Sequence, residues 1–430
     1  MGRGRSLPLD GLFVPGTEVG MNGISIGLKE AVRMTLENIR PLPIEKVGLV
    51  DSIDRVAAAP LFSLVDSPSE DTSRKDGYAV MAHEIADATR TDPVRLRLVG
   101  TLSPGGKKDV QVTPGTAVRV LTGARIPTGA TAVVSDEFVK PGDHDVLVEN
   151  CAKPNNILHQ GSDISCGKSV LRAGQQISPL MAGLLAVAGH TTVPVYQNPV
   201  VGIVGTGDEI VEPGKPLAEG KLYASNIITL AGWCLRYKMK PSLALVNDDP
   251  DAIARIIQRL SAETDAVITS GGAWTGDHDM VASVLERLGW TEVFHHVRMG
   301  PGKATGFGTL NGKPVFVLPG GPPSNVVGFL QIALPGLRAL SGHPDPGLPM
   351  IKARLASDLV GGEAEWTDFF FGTLAFDLGL PSFHPMEKRS RMASIVKATA
   401  VASIPEGSDH LEAGWVLPVQ LLMQDAFCKV

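Results

Sequence analysis

The chain has 430 residues, of which 43% are hydrophobic and 20% are charged, as expected for a globular protein of several domains. Its net charge of −6 argues against a general electrostatic attraction to nucleic acid or to anionic membranes. The four cysteines form no C-x-x-C pair, so neither a disulfide framework nor a zinc site is expected. No apolar run reaches membrane-spanning length and no secretory signal is visible, so a cytoplasmic location and no membrane partner are expected.

The first half of the chain begins with helical patterns and continues with β-like runs. Residues 1–22 are expected to be a flexible lead-in. Apolar residues at helical spacing predict a first helix over residues 24–39, and a second short helical segment is predicted over residues 49–59. Residues 61–150 consist mainly of short β-like runs separated by turns, which predicts a compact β-rich domain.

Changes of pattern divide the rest of the chain. Segments 23–60 and 151–197 are expected to pack together as a discontinuous, mixed connecting domain. Alternating strands and helices over residues 198–342 predict a doubly wound α/β domain with a parallel sheet. Short β runs over residues 343–430 predict a small C-terminal β-barrel, with a sandwich as the alternative. The fold class is therefore expected to be multidomain α/β.

Residues 265–279, with the sequence D-A-V-I-T-S-G-G-A-W-T-G-D-H-D, carry the strongest local signal of a binding site. An apolar strand is followed by a glycine turn and then by a helical pattern, and this order presents backbone N–H groups where an anion can bind. A plain tight turn, with Asp277 or Asp279 capping the helix, explains the same residues equally well. Loops 205–209 and 319–324 are expected at the same edge of the parallel sheet, where ligands of such sheets bind.

Carboxylates accompany these loops. They are Glu209, Asp248, Asp249, Asp277 and Asp279. Without a cluster of His or Cys, such oxygen ligands suit a hard cation such as Mg²⁺ that is held together with ligand phosphates. Asp249 is better explained as a helix cap, and Glu209 is explained equally well as a solvated loop charge.

Three further features are ambiguous from sequence. Lys303 in P-G-K either faces an oxyanion or lies on a surface turn. The adjacent His295 and His296 are expected to point to opposite faces of a strand, which favours packing or exposure over metal binding. Trp274 and Trp366 are most simply residues of the core or its rim.

Taken together, the motifs resemble the molybdopterin molybdenumtransferase family, which includes bacterial MoeA proteins and the E domain of gephyrin. The resemblance covers nearly the whole chain in the order of the family. Its motifs are D-G-Y-A-V (76–80), L-T-G-A-x-x-P-x-G-A (121–130), G-S-D-I (161–164), G-T-G-D-E-I (205–210), S-G-G-x-x-x-G-D-x-D (270–279), P-G-K-x-x-x-F-G-x-L (301–310) and L-P-G-G-P-P-S (318–324).

The resemblance implies an elongated homodimer of four-domain subunits that inserts molybdate into adenylylated molybdopterin and releases AMP in a Mg²⁺-dependent reaction. It also implies that the active cleft lies between the α/β domain of one subunit and the β-rich domain of the other. Transient contact with the molybdopterin adenylyltransferase and with acceptor apoenzymes follows from the same resemblance.

The resemblance assigns site residues at the matching positions. The catalytic residues would be Asp76, Thr122, Glu209, Asp248 and Asp279, with Glu209 and Asp279 holding the metal. The substrate-binding residues would be Asp163, Gly205, Ser270, Gly271, Gly272, Gly276, Arg298, Lys303, Pro319, Gly320, Gly321, Pro322 and Ser324.

Some positions depart from the family pattern. Gly300 replaces a lysine of the oxyanion site, Trp274 replaces a small serine, and Arg298, Arg74 and Lys75 are expected to restore the lost charge. An alternative function therefore stays open, namely a non-catalytic or tungstate-specific paralogue that binds molybdopterin or finished cofactor for storage or delivery.

Overall fold

The computed structural model describes residues 25–106, 109–151, 156–272, 280–376, 379–386 and 392–422. The chain divides into two compact units, one of residues 45–195 and the other of residues 1–44 together with 196–430. Within the described residues, no helix is both long and apolar enough to cross a membrane.

The second of these units begins with a short strand and a helix. These are β1 (Ile26–Gly27) and α1 (Leu28–Glu37). The N–H of Leu28, which has no partner within the helix, donates to the carboxylate of Glu406 at 3.0 Å. Ala31 and Ile39 are buried in the same core as the α/β elements described below. The expected grouping of residues 23–60 with 151–197 therefore does not hold for this helix, because its apolar face finds its partners later in the chain.

Residues 45–195 form the β-rich unit. Its strands are β2 (Ile44–Gly48), β3 (Leu61–Phe62), β4 (Thr72–Ser73), β5 (Gly77–Val80), β6 (Val94–Leu102), β7 (Thr116–Val120), β8 (Ala132–Ser135), β9 (Val139–Pro141), β10 (Asp145–Val148), β11 (Ile157–Leu158), β12 (Ser169–Leu171) and β13 (Thr192–Tyr196), and its helix is α2 (Pro179–Val187). Six strands make one sheet in the order β8-β5-β7-β6-β10-β9, in which only β6 and β7 run parallel. Alternate residues of β5 pack on opposite faces of this sheet, Tyr78 and Val80 on one and Ala79 on the other.

The predicted helical segment over residues 49–59 is wrong. Asp54 has a φ of 66°, a left-handed conformation that ends any helix there. The following residues pair with distant backbone instead, since Ala57 donates its N–H to the carbonyl of Gln175 at 2.9 Å. A short apolar stretch does not reveal which distant segment it will pair with.

The α/β part follows in chain order. It comprises β14 (Val200–Thr206), β15 (Ile210–Val211), β16 (Leu222–Tyr223), α3 (Ser225–Arg236), β17 (Lys240–Val246), α4 (Pro250–Glu263), β18 (Ala266–Ser270), α5 (Met280–Arg287), β19 (Thr291–His295), β20 (Val297–Gly300), β21 (Gly306–Leu310), β22 (Lys313–Leu318), α6 (Pro322–Gly328), a π-helical turn (Phe329–Ala333) and α7 (Leu334–Leu340). The sheet order is β17-β14-β18-β22-β21-β19. The first four strands are parallel and the last two antiparallel, so the predicted parallel sheet has two antiparallel edge strands.

Helices cover both faces of this sheet. Along β22, Val315 and Val317 pack with residues of α4 and α5, whereas Phe316 and Leu318 pack with residues of α3 and α7. This alternation is what period-two side-chain geometry requires of a strand that is buried on both faces. The doubly wound arrangement predicted from the sequence is therefore confirmed.

The C-terminal strands close into a barrel. They are β23 (Met350–Leu355), β24 (Leu359–Val360), β25 (Thr367–Ala375), β26 (Ser382–Pro385), β27 (Ala400–Ile404), β28 (His410–Leu411) and β29 (Val416–Leu421), accompanied by helix α8 (Met392–Ile395). The pairing runs β25-β26-β23-β29-β27 and returns from β27 to β25, so these five strands form a ring. Strands β20 and β1 extend the sheet beyond β25. The predicted boundary at residue 343 therefore does not separate the two sheets, because both added strands come from earlier in the chain.

Candidate functional site

Three loops follow adjacent parallel strands β14, β18 and β22 and meet at one edge of the sheet. The N–H of Gly271 donates to the carbonyl of Leu318 at 3.2 Å, and a methyl group on Gly320 would lie 3.5 Å from the Cα of Gly271. Because the carboxyl ends of parallel strands share one edge, the convergence predicted from the sequence is found here. The loops are close enough to surround a single ligand.

Glycine is required at the centre of this edge. Gly271 has a φ of 100°, and a Cβ atom there would lie 2.4 Å from the carbonyl oxygen of Thr206. Both the backbone conformation and the space therefore exclude a side chain. The consequence is that the backbone of one loop lies directly against the backbone of the next.

These loops line a pocket of about 670 Å³. The residues predicted for the site that line it are Glu209, Gly271, Gly272, Lys303, Pro319, Gly320, Gly321 and Ser324. A smaller cavity of about 110 Å³ is lined by Gly205, Ser270 and Pro322, and Glu209, Gly271 and Gly320 line both. Most of the residues predicted within the α/β part are therefore brought together.

Lys303 is the one basic side chain that lines the larger pocket among the described residues. Its Nζ atom lies 5.5 Å from the centroid of the Trp366 ring, a cation–π distance. Backbone fixes the base of this loop, since Val297 donates its N–H to the Lys303 carbonyl at 2.9 Å and Thr305 Oγ1 donates to the Gly302 carbonyl at 2.7 Å. Lys303 is thus exposed after a turn and at the same time lines the pocket, and Trp366 lies in the wall of that pocket.

The carboxylates at this edge interact with one another. Asp208 and Asp248 exchange bonds between backbone N–H and carboxylate at 3.4 and 3.2 Å. Burial raises the pKa of the Asp248 carboxyl, and the negative charges of Asp208 and Glu209 raise it further. Within the described residues, no group of three or more His, Cys, Asp or Glu side chains is arranged to hold a metal. Asp249 instead caps α4, accepting the Ala252 N–H at 2.6 Å, as the sequence predicted.

In the unit of residues 45–195, Asp76 and Thr122 form a bonded pair. Oδ1 of Asp76 accepts the Thr122 backbone N–H at 2.7 Å and its hydroxyl at 2.8 Å. These two bonds, helped by the positive charge of Arg119, hold the pKa of the Asp76 carboxyl below its usual range. The next residue, Gly77, lies against β8, where a Cβ would be 2.0 Å from the Val134 carbonyl oxygen. Two residues far apart in sequence that were assigned catalytic roles are thus adjacent.

Two predicted site residues have other surroundings. Asp163 is exposed, and its backbone N–H donates to the carbonyl of Ser67 at 3.0 Å, so the G-S-D-I motif makes a turn here. Arg298 donates to the carbonyls of Ser25 at 2.6 Å and Glu365 at 3.2 Å. Its guanidinium is thus engaged with the barrel sheet and does not line the pocket, so the expectation that Arg298 restores the charge lost at Gly300 is not supported.

Residues 273–279 lie outside the described part of the chain, so the expectations for Trp274, Gly276, Asp277 and Asp279 have no structural counterpart here. The expectation that His295 and His296 point to opposite faces of a strand is wrong. The rings of His295 and His296 stack with centroids 4.5 Å apart. Strand β19 ends at His295, and His296 has a left-handed φ of 76°, so the alternation of a strand does not apply.

Sequence reasoning missed Asn226 and Asn325. The Nδ2 atoms of both donate to Ser270 Oγ, at 3.1 and 3.0 Å, and also to the carbonyls of Gly320 and Pro319. Asn325 is fully buried, which is unusual for this residue type and is the structural sign of its importance. In the sequence the only available signal was an asparagine directly after the glycine-proline loop.

Comparison with protein families matches two regions of the chain. Residues 26–189 match the family described as "MoeA N-terminal region (domain I and II)", and residues 202–339 match "Probable molybdopterin binding domain".

Curated relatives and a solved structure agree with these matches. The chain is 31% identical over 405 residues to "Molybdopterin molybdenumtransferase 2" of Mycobacterium tuberculosis, covering 91% of this chain and 98% of the relative. It is 30% identical over 408 residues to "Molybdopterin molybdenumtransferase" of Bacillus subtilis, covering 93% and 95%. The crystal structure of the molybdopterin biosynthesis MoeA protein from Pyrococcus horikoshii matches with a TM-score of 0.79 and 29% identity, covering 93% of this chain and 100% of that one.

Proposed function

The chain belongs to the molybdopterin molybdenumtransferase family, an enzyme family of molybdenum cofactor biosynthesis, and on that premise we propose the reaction it catalyses. It inserts molybdate into adenylylated molybdopterin and releases AMP. The observation that carries this proposal is the pocket of about 670 Å³, in which two glycine loops face the single lysine among its described lining residues. Exposed backbone and a cation are what a phosphoanhydride and an oxyanion require.

The described residues of the pocket have different roles in the proposed reaction. Gly271, Gly272 and the loop at Gly320 let the phosphoanhydride approach the backbone closely. Lys303 supplies positive charge for the oxyanion or for a terminal phosphate. Glu209 lies on both cavities and would face the phosphoanhydride from the β14 loop. Displacement at phosphorus needs mainly such positioning and charge neutralisation.

We propose that the reaction requires Mg²⁺. The fit of the residues is partial but chemically consistent, since Mg²⁺ in such sites is usually held by one or two carboxylates together with substrate phosphates. Glu209 and Asp248 provide carboxylate oxygens. The pKa of Asp248 is raised first by burial and then by the charges of Asp208 and Glu209, and a nearby cation would stabilise its charged form. When bound, Mg²⁺ would neutralise charge that develops on the phosphoanhydride.

We also propose that the enzyme acts as a homodimer in the cytoplasm, with Asp76 and Thr122 acting on substrate held by the other subunit. Both units carry strongly exposed apolar side chains, which is common at subunit interfaces. In the unit of residues 45–195, Leu180 is 88% and Val50 is 80% exposed, and in the other unit Leu222 is 63% exposed. Light scattering on the purified protein tests the dimer, and a monomer at micromolar concentration would contradict this arrangement.

The direct test incubates the protein with adenylylated molybdopterin, Mg²⁺ and molybdate, and follows AMP release. Metal-dependent AMP release that needs molybdate is the expected result. AMP release no faster than in a blank without protein would contradict the proposed reaction.

One observation favours a second function. A Cβ on Gly300 would lie 2.3 Å from Oδ1 of Asp368, so a carboxylate occupies the space where a side chain would extend. A pocket with less positive charge captures any oxyanion less strongly, which would suit a protein that stores or delivers the cofactor. Tungstate carries the same charge as molybdate, so a tungstate-specific enzyme is distinguished by assay. Running the assay with tungstate in parallel separates these functions. A tungstate-specific enzyme releases AMP with tungstate but not with molybdate, and a storage or delivery protein releases AMP with neither.

A further inference from the structure

Two asparagines join the glycine loops through one serine. Nδ2 of Asn226 donates to Ser270 Oγ at 3.1 Å and to the Gly320 carbonyl at 2.8 Å. Nδ2 of Asn325 donates to the same Ser270 Oγ at 3.0 Å and to the Pro319 carbonyl at 2.9 Å. Each amide nitrogen therefore uses both of its hydrogens, one for each loop.

This arrangement fixes the direction of the Ser270 hydroxyl. A hydroxyl oxygen accepts through two lone pairs, and both are used by the amides, so the remaining role of this hydroxyl is to donate. Ser270 lines the cavity of about 110 Å³ together with Gly271 and Gly320. The group is thus a hydrogen-bond donor at the wall of a cavity that the glycine loops surround.

Stability alone does not explain the two amides. Oδ1 of Asn226 and Oδ1 of Asn325 are both buried without a hydrogen-bond partner. A buried acceptor without a partner destabilises the folded state. Buried acceptors without partners are retained where the residue has a functional role. Here the Nδ2 group of each amide makes the hydrogen bonds to both loops, while its Oδ1 atom makes none.

We propose that Asn226 and Asn325 are positioning residues, which hold the Ser270 hydroxyl as a donor toward an anionic phosphate oxygen and keep loops 270–272 and 319–321 together. The identity of that ligand rests on the proposed function. The positioning itself is a property of the three side chains and applies to any phosphate-bearing ligand of this pocket.

The test is a double-mutant cycle read out by binding of AMP, measured by calorimetry. Ser270→Ala is expected to weaken AMP binding about tenfold, because a hydrogen bond to a charged group is lost. Asn226→Ala should weaken it severalfold in the natural background and clearly less in the Ser270→Ala background, where only its bond to the Gly320 carbonyl remains to be lost. Equal losses in both backgrounds, or no loss in either, would overturn the inference.

Two variants and a control separate positioning from loss of folding. Ser270→Thr keeps the hydroxyl and should retain AMP binding, whereas the nearly isosteric Asn325→Asp cannot donate and should behave like Asn226→Ala. Asn38→Ala removes another amide, which donates to the Met34 carbonyl at 2.9 Å near the end of α1, and should leave AMP binding unchanged. Thermal unfolding of each variant shows whether it is folded.

AMP binding does not depend on turnover, so the two proposals can fail separately. If the unmodified protein binds AMP but does not release AMP from adenylylated molybdopterin, the proposed reaction is contradicted. The double-mutant cycle then still tests the positioning roles of Asn226 and Asn325. Unmodified protein that does not bind AMP at millimolar concentration would contradict both.

Discussion

The ammonium group of Lys303 lies over the indole ring of Trp366, 5.5 Å from the ring centroid. The lysine belongs to the loop between β20 and β21, and the tryptophan directly precedes β25 of the barrel. The ring therefore limits where the only described cation of the pocket can point.

Removing the ring should weaken anion capture without abolishing it. A cation–π contact contributes about 0.5–1 kcal/mol at exposed sites, so Trp366→Leu is expected to raise the KM for molybdate about two- to fivefold. Trp366→Phe should have a smaller effect, because a weaker aromatic face remains. Steady-state AMP release at varied molybdate measures this. Trp233→Phe, at a similar pair with Arg236 outside the pocket, is the control, and an equal KM change in that variant would contradict the assignment.

Charge and geometry at Asp76 can be separated. Asp76→Asn keeps an oxygen that accepts the two bonds from Thr122 but removes the negative charge, so the fold should persist while turnover falls about tenfold or more. Thr122→Val removes only the hydroxyl bond. That bond favours the charged carboxylate, so its loss should raise the pKa of Asp76 and move the acid limb of the activity profile to higher pH. An acid limb that stays in place in Thr122→Val would contradict this role of the carboxylate.

Gly271→Ala is expected to destabilise the protein and the pocket together. Left-handed φ costs a residue with a Cβ about 1–2 kcal/mol, and overlap with the Thr206 carbonyl adds about 1–3 kcal/mol. Gly289→Ala is the matched control, because Gly289 also has a positive φ but a Cβ there meets nothing within 4 Å. Denaturant unfolding of both variants measures the difference. Equal destabilisation would show that the close contact at Gly271 relaxes without cost.

Acid should destabilise the natural protein through His343. Burial, followed by the charge of Arg338, lowers the pKa of His343 to about 4, below its unfolded value of about 6.5. Between these values the unfolded chain binds the proton and the folded protein does not, so stability falls as the pH drops, by up to about 1.4 kcal/mol per pH unit. His343→Gln should flatten the fall in melting temperature between pH 6.5 and 4. The exposed His83→Gln serves as control, and identical slopes in all three proteins would refute the assignment.

Asp248 should couple metal binding to pH. Because its pKa is raised, protons compete with Mg²⁺ at a higher pH than at an ordinary carboxyl. Asp248→Asn is expected to raise the Mg²⁺ concentration for half-maximal activity and to weaken its pH dependence. Asp249→Ser keeps a helix cap and should change neither.

Asp279→Ala is expected to abolish AMP release while the dimer persists, and full activity in that variant would contradict its placement.

Local signals in the sequence were sufficient where one element decides its own structure. The cap at Asp249 and the glycine turn at Gly271 were predictable, because neighbouring residues supply both the partner and the constraint. The loops at the edge of the sheet were also predictable, since parallel strands must end together.

Partners distant in sequence were not predictable. Asn226 meets Ser270 and Gly320 across separations of 44 and 94 positions, and no local pattern specifies such pairs. The stacking of His295 and His296 depends on a left-handed residue that a strand pattern does not reveal. Arg298 looked like a replacement for a lost lysine, but its bond to the Ser25 carbonyl depends on a strand contributed by the start of the described chain.

Strand β20 leaves the α/β sheet at His296, pairs in parallel with β1 and β25 of the barrel sheet, and returns through the loop that carries Lys303. The barrel is therefore not an independent domain that can be deleted or exchanged without affecting the α/β part. A chain shortened before β23 would lose β25 and Trp366, and β20 would keep only the two-residue β1 beside it. A protein made of the α/β part alone would therefore lack both the indole ring beside Lys303 and the barrel strand beside β20.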